Sequence, residues 1–300
     1  MLAIVIPYYK IEFFEDTLNS LASQTDKRFK VYIGDDASAD KPDYLLEKFE
    51  GRFDFKYHRF EQNLGKFSLT KQWERCILLT QNEKWLKILG DDDVLDENTV
   101  KFFYENLEEV EKKELSVIRF ATQKIDADGK NISQIFEHPK IERCTNFLFN
   151  KTRSSLSEYI FRKSEFDKLK FQNFPLGWFS DFLAVFEFSN YGNIYSINNS
   201  VTFVRISEFS ISGNNDSIKK KLHAEFEFYT YLLNYKSQYF TAPEIDELFH
   251  RMNKCYINNK KEFVLFFRIS KIYFKKKLFR EYILFLKELV HLTKQNYKIR

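Results

Sequence analysis

Over its first 112 residues the chain repeats one pattern, a short apolar run followed by a stretch with apolar residues at helical spacing. The runs Leu2–Ile6, Lys30–Gly34, Phe53–Phe60 and Lys84–Leu89 have the length of strands. Helical periodicity covers Phe13–Gln24, Pro42–Phe49, Phe67–Leu79 and Glu97–Lys112. Strands that alternate with helices predict an α/β fold, with a mostly parallel sheet and helices on both faces. Ligands of such sheets bind outside the carboxyl ends of the strands. Two acidic clusters fall at those ends: Asp35-Asp36 after the second strand and Asp91-Asp92-Asp93 after the fourth.

A single aspartate at a strand end is ordinarily a turn or cap residue, and Asp96, followed by Glu97-Asn98, reads as one. Three adjacent aspartates repel one another, and either water or a positive charge must offset that repulsion. A hard divalent cation, Mn2+ or Mg2+, takes oxygen ligands and is commonly held by one or two carboxylates plus the phosphates of a substrate. A nucleotide diphosphate would complete such a site.

Several stretches resemble family 2 glycosyltransferases of the GT-A fold, in the family's order. "IVIPYYK" (Ile4–Lys10) resembles the opening strand and its Pro-x-Tyr turn, and "VYIGDDASAD" (Val31–Asp40) the Asp-Asp-x-Ser-x-Asp segment. "NLGK" (Asn63–Lys66) resembles the Asn-x-Gly element, and "WLKILGDDDVLD" the strand that ends in the metal-binding Asp-x-Asp motif. "PLGWFSDFLAVF" (Pro175–Phe186) resembles the segment of the catalytic base, and "VRISEFSIS" (Val204–Ser212) the Arg-x-x-x-x-Ser-x-Ser ending. The likeness spans about residues 1–215. It implies a GT-A catalytic domain there, a Rossmann-like sheet, followed by a C-terminal extension over 216–300.

The resemblance implies that Pro7, Tyr8 and Tyr9 form a turn against the nucleoside and that Asp35 or Asp36 accepts from the uracil imide. Uracil presents an N–H between two carbonyls, whereas the corresponding cytosine nitrogen is an acceptor, so a carboxylate selects uracil. The triad admits more than one register: aligning Val94-Leu95 with the usual sequel puts Gly90 on the family's first Asp, with Asp92 and Asp93 on the later acidic positions and Asp91 able to substitute for the missing one. Asp92 is then the main metal ligand with Asp93 beside it, and Asp91 and Asp93 support donor and ribose contacts. Lys66 and Lys71 are further phosphate candidates. Arg205 stands where its planar fork would suit a diphosphate, or else it is a solvated surface charge. Family members often carry a His near that place; this chain has Ser207 or Glu208.

The implied chemistry is a single displacement at the anomeric carbon, which inverts it and needs a base for the acceptor hydroxyl. Asp181 is the candidate. It lies between Trp178-Phe179 and Phe182-Leu183, apolar neighbours that would raise its pKa toward the working pH. The other reading of Asp181 is a helix N-cap. A retaining double displacement would need a second carboxylate as nucleophile, which nothing in the sequence marks. Acceptor residues are expected between Cys144 and Trp178.

The tail differs in charge from the front. Residues 216–300 hold 18 basic and 9 acidic residues, against 29 basic and 34 acidic before them. Within the tail, Leu278, Phe279, Tyr282, Ile283, Phe285, Leu286, Leu289 and Val290 recur at the spacing of one amphipathic helix. That face either packs on the protein or a partner copy as a homodimer contact, or, with Lys275-Lys276-Lys277 and Arg280, docks on an anionic membrane surface. Peripheral docking would suit a lipid-linked saccharide acceptor, as for enzymes of this kind that build surface polysaccharides. Nucleic acid is not expected as a partner, because the front is acidic and the tail's aromatics fall on the core-like face.

With 34 Phe and 17 Tyr against 8 Gly and 5 Pro, the chain is ordered rather than linker-like. Cys76, Cys144 and Cys255 are far apart and lack metal-ligand spacing, which fits a reducing compartment. The opening run stops at Pro7 after six residues, too short for a signal peptide or span. A cytoplasmic protein, peripheral at the inner face of the membrane, is the expectation. The alternative function is a sugar-nucleotide-binding module of the same fold without turnover.

Overall fold

The computed structural model describes residues 1–150, 152, 154–208, 217–258 and 262–298, with side chains through residue 291. It divides into two compact units, residues 1–215 and 216–300.

The first unit opens as the sequence pattern predicts, with β1 (Leu2–Tyr8), α1 (Phe14–Ala22), β2 (Phe29–Asp35), α2 (Asp43–Glu47), β3 (Phe55–Arg59), α3 (Leu69–Ile77) and β4 (Trp85–Ile88). It continues through β5 (Val94–Leu95), α4 (Thr99–Lys112), β6 (Val117–Ile125), β7 (Ile141–Arg143), α5 (Asn146–Phe149), β8 (Tyr159–Arg162), α6 (Lys163–Lys168), α7 (Ser180–Phe188) and β9 (Asn193–Arg205). One sheet runs in the order β3-β2-β1-β4-β8-β6-β9-β5, with β7 also pairing with β9.

Strands β1 to β4 pair in parallel, joined by the helices read from the sequence. Past β4 the sheet is mixed: β8 runs antiparallel between β4 and β6, and β5 and β7 run antiparallel to β9. Those later strands gave no clear period-2 signal. Leu2 through Ile6 are fully buried because both faces of β1 are covered, which is why that run has no polar alternation. β4 pairs with β1 only as far as Val5, so Pro7, which has no N–H to give, falls beyond that ladder. β1 has β2 on one side and β4 on the other, and a crevice opens at the carboxyl ends where the winding reverses.

The second unit contains α8 (Ile218–Tyr231), α9 (Ala242–Asn258), α10 (Phe263–Lys276) and α11 (Phe279–Lys298). Its core holds Phe226, Leu248, Met252, Ile269, Tyr273 and Phe285. The single tail helix expected from spacing is two helices. Lys277 takes a left-handed conformation (φ 59°, ψ 30°), its N–H bonds the Phe274 carbonyl (3.1 Å), and the Leu278 N–H bonds that of Tyr273 (3.0 Å). This is a Schellman stop, hidden in the sequence because lysine occupies the position glycine normally marks. Among the described residues no helix is long and apolar enough to cross a membrane.

Candidate active site

A cleft of about 600 Å3 opens at the carboxyl ends of β1 and β4. It brings together Pro7, Tyr9, Asp36, Lys66, Asp91, Asp92, Asp93, Asp181 and Arg205 of the residues expected from sequence. Tyr8, Asp35 and Lys71 do not line it. Tyr8 is fully buried and its hydroxyl donates to the Asp40 carbonyl (2.6 Å).

The two acids after β2 have different jobs. Asp35 is fully buried: Oδ1 accepts the Ser38 N–H (2.8 Å), and Oδ2 accepts from the Tyr57 hydroxyl and Arg59 Nη1 (2.6 Å each). It ties β2 to β3 and is turned away from the cleft. Asp36 reaches the cleft from the same turn, with Oδ1 accepting the Leu64 N–H (2.7 Å) and an Arg75 guanidinium N–H. Its Oδ2 accepts the Gly65 N–H (2.8 Å), which leaves that oxygen a further lone pair. A Cβ on Gly65 would stand 2.5 Å from Oδ2, so the "NLGK" glycine is where the backbone closes on the carboxylate.

The aspartate run after β4 is likewise divided. Asp91 Oδ2 accepts the N–H groups of Tyr9 (2.7 Å) and Lys10 (2.8 Å), binding this turn to the one after β1. Burial still lifts its pKa to about 6 against those donors. Asp93 is buried, and its Oδ1 accepts the Arg205 N–H (3.0 Å). Asp92 ionises well above the usual carboxylate range, through burial first and then the charges of Asp93 and Asp91. A Cβ built on Gly90 would lie 2.9 Å from Asp92 Oδ1 and 3.1 Å from Asp93 Oδ2. An aspartate there, where the family pattern places one, would require the Asp92 and Asp93 carboxylates to shift.

These facts test the donor set for a divalent cation. Among the described residues no three His, Cys, Asp or Glu side chains group as a metal cage. Two hard oxygens, Asp92 Oδ1 and Asp93 Oδ2, converge at Gly90, and the repulsion that lifts Asp92 is of the kind a cation relieves. Two carboxylates completed by substrate phosphates fit Mn2+ or Mg2+ chemistry.

Arg205 is not the solvated surface charge that one sequence reading allowed. It is 2% exposed, and its guanidinium donates to the carbonyls of Asp92 (3.0 Å), Asp126 (2.9 Å) and Ala127 (3.0 Å) and to Asp16 Oδ2 (2.8 Å). Four of its five N–H groups are spent within the protein, so its work within the fold is to fasten the aspartate turn, and it also lines the cleft. Ser207 is buried and Glu208 exposed, while Ser210 and Ser212 of the same motif lie outside the described residues.

Asp181 sits in the first turn of α7, but the N-cap position belongs to Phe179, which is left-handed (φ 66°). Burial raises the Asp181 pKa to about 7, against the pull of the Phe182 and Asp181 N–H groups. The approach is bent: Leu176 (φ 61°) and Gly177 (φ 63°) are also left-handed, and a Cβ on Gly177 would meet Trp73 at 3.1 Å. Such backbone persists where packing over-determines it, and here α3 does so. Asn173 Oδ1 accepts from the hydroxyls of Ser68 (2.9 Å), the α3 N-cap, and Thr70 (3.0 Å).

Sequence reasoning missed two supports. Lys87, fully buried inside β4, donates to the Ser157 carbonyl, and Ser157 Oγ accepts the Gly90 N–H (3.0 Å). Burial draws the Lys87 pKa down to about 7, while Glu158 and Asp93 favour its charge. A lysine inside "WLKIL" and the capping box Ser155-x-x-Glu158 were the available signals. Ser155, Leu156, Ser157, Leu176, Gly177 and Trp178 line the cleft within the range expected for acceptor contacts.

The family model for glycosyl transferase family 2 matches residues 3–188. None of the curated proteins compared with the chain matches it. Among solved structures, S. aureus TarS 1-349 in complex with UDP-GlcNAc is similar at a TM-score of 0.65 and 16% identity, over 86% of this chain and 72% of that one. The S. aureus TarS structure of greater length gives 0.61 and 16%, over 85% of this chain and 43% of that one. GalNAc-T7 with UDP, GalNAc and Mn2+ gives 0.52 and 13%, over 84% and 54%. At such identities the likeness is one of fold. The family match covers more than half the chain and takes in both acidic turns and Asp181: the chain belongs to glycosyl transferase family 2, enzymes that transfer a sugar from a nucleotide-sugar to an acceptor.

Proposed function

We propose that this transferase takes its sugar from a UDP-sugar and inverts the anomeric centre, with Asp181 as base and a saccharide or lipid-linked saccharide as acceptor. The observation that carries the reading is that one cleft holds both the Asp91–Asp93 turn and a carboxyl titrating near 7. The solved structures of similar fold with UDP-GlcNAc, and with UDP and Mn2+, support the donor class and a cation.

Asp36 lines the cleft, its Oδ2 has a lone pair beyond the Gly65 bond, and it would accept the uracil N–H, with Pro7 and Tyr9 in the same lining. Lys66, exposed at the lip, would meet phosphate. Asp92 and Asp93 would hold Mn2+ or Mg2+, whose charge opposes that of the diphosphate. Asp91 keeps their turn against Tyr9 and Lys10. Asp181 takes the proton of the acceptor hydroxyl as its oxygen forms the new bond to the anomeric carbon. The bond from that carbon to the diphosphate breaks, and its electron pair leaves with UDP. A base with a pKa near the working pH combines an ionised fraction with useful proton affinity.

Calorimetric titration of UDP, GDP and CDP, with and without Mn2+, tests the proposal. Metal-dependent binding of UDP alone, lost in Asp92→Ala and kept in Asp181→Asn, is expected. Well-folded protein that binds no nucleotide under either condition refutes it.

A further inference from the structure

We propose that the tip of the α10–α11 hairpin is a docking site for an anionic lipid bilayer. Phe274 near the end of α10 and Phe279 at the start of α11 are each 53% exposed, yet their ring centroids stand 5.8 Å apart. Lys275, Lys277 and Arg280, their neighbours in the chain, are exposed too. Lys275 Nζ lies 5.9 Å from the ring of Tyr235, itself 64% exposed, so a third ring joins the patch. Residues 263–280 contain no acidic side chain, and Glu281 is the first acid beyond them.

Rings of this kind settle at the boundary between headgroups and acyl chains, while long cationic side chains stay with the phosphates. Phe263 and Phe267 on α10, and Ile283 and Leu284 on α11, extend the exposed apolar surface away from the tip. The backbone adds an independent sign. Lys277 occupies the left-handed position that favours glycine, so a strained residue sets a charge at the apex of the turn.

Charge selects the occupant. A two-fold contact centred on the tip would bring the cluster of Lys275, Lys277 and Arg280 against the partner's copy of that cluster, a repulsion that a surface of anionic lipid reverses.

Sedimentation of the full chain with phosphatidylcholine vesicles, with and without phosphatidylglycerol, tests this. The chain pellets only with phosphatidylglycerol present and is released by salt. Two variants, Phe274→Ser with Phe279→Ser and Lys275→Gln with Lys277→Gln and Arg280→Gln, each lose at least about tenfold in partition with unchanged melting. A chain that stays in the supernatant, pellets equally with phosphatidylcholine alone, or is unaffected by both sets of substitutions overturns the proposal. So does a dimer in equilibrium sedimentation that the phenylalanine variant dissolves, which would assign the tip to a second copy. The inference does not rest on the transferase reading, because both variants lie outside residues 1–215 and UDP binding is measured separately.

Discussion

Asp181→Asn should make the protein more stable while stopping transfer. A carboxyl that titrates near 7 in place of 3.8 has its ionised form disfavoured by about 4 kcal/mol. Between those two values the folded chain holds the proton more tightly than the unfolded one, so this group makes stability fall as pH rises from about 4 to about 7. Above 7 the whole cost is present. Asparagine keeps the shape and removes the titration. Asp181 is partly exposed, so solvent recovers some of the cost; half of it, about 2 kcal/mol, corresponds to about 4–8 °C in Tm for a domain of this size. Thermal melts of parent and variant at about pH 4 and about pH 8 measure the effect. The variant should melt higher at the upper pH, with most of that advantage gone at the lower. An advantage that does not change with pH, or a variant less stable at pH 8, would show that burial does not hold this carboxyl near neutrality.

Other expectations follow from the same geometry. Transfer should rise through about pH 7 as Asp181 ionises, so a kcat profile flat across that range would remove it as the base. Gly65→Ala puts a Cβ 2.5 Å from Asp36 Oδ2 and should weaken UDP binding about tenfold in calorimetry while the fold survives. Arg205→Ala unfastens Asp92, Asp16 and the 126–127 loop and should cost about 3 kcal/mol in urea unfolding; under about 1 kcal/mol would show that the fork is not the fastening. Gly177→Ala, at φ 63° against Trp73, should cost about 1–2 kcal/mol in the same assay.

The parallel half of the sheet and its helices were legible because burial on two faces, or on one face of a helix, writes a period into neighbouring residues. Asp36 and Asp91–Asp93, which line the cleft, stand on the ends of those elements, whereas Asp181 was singled out by its segment's resemblance to the family. β5 to β9 were not legible, since the order of a mixed sheet depends on pairings between segments distant in the chain. The break at Lys277 was missed because helix-stop signals name glycine and this turn uses lysine.

Local sequence, then, determined the α/β opening, the place of the acids at strand ends and the basic, aromatic character of the tail. Only the tertiary structure decided what each charged group is free to do. Asp35 and Asp36 are neighbours, yet Tyr57 and Arg59 consume one while the other reaches the cleft. Arg205 finds its acceptors at Asp92, 113 residues away, and at Asp16, 189 away. Hydrogen-bonding capacity is a property of a residue type, but how much of it is left over depends on partners that only folding brings within reach.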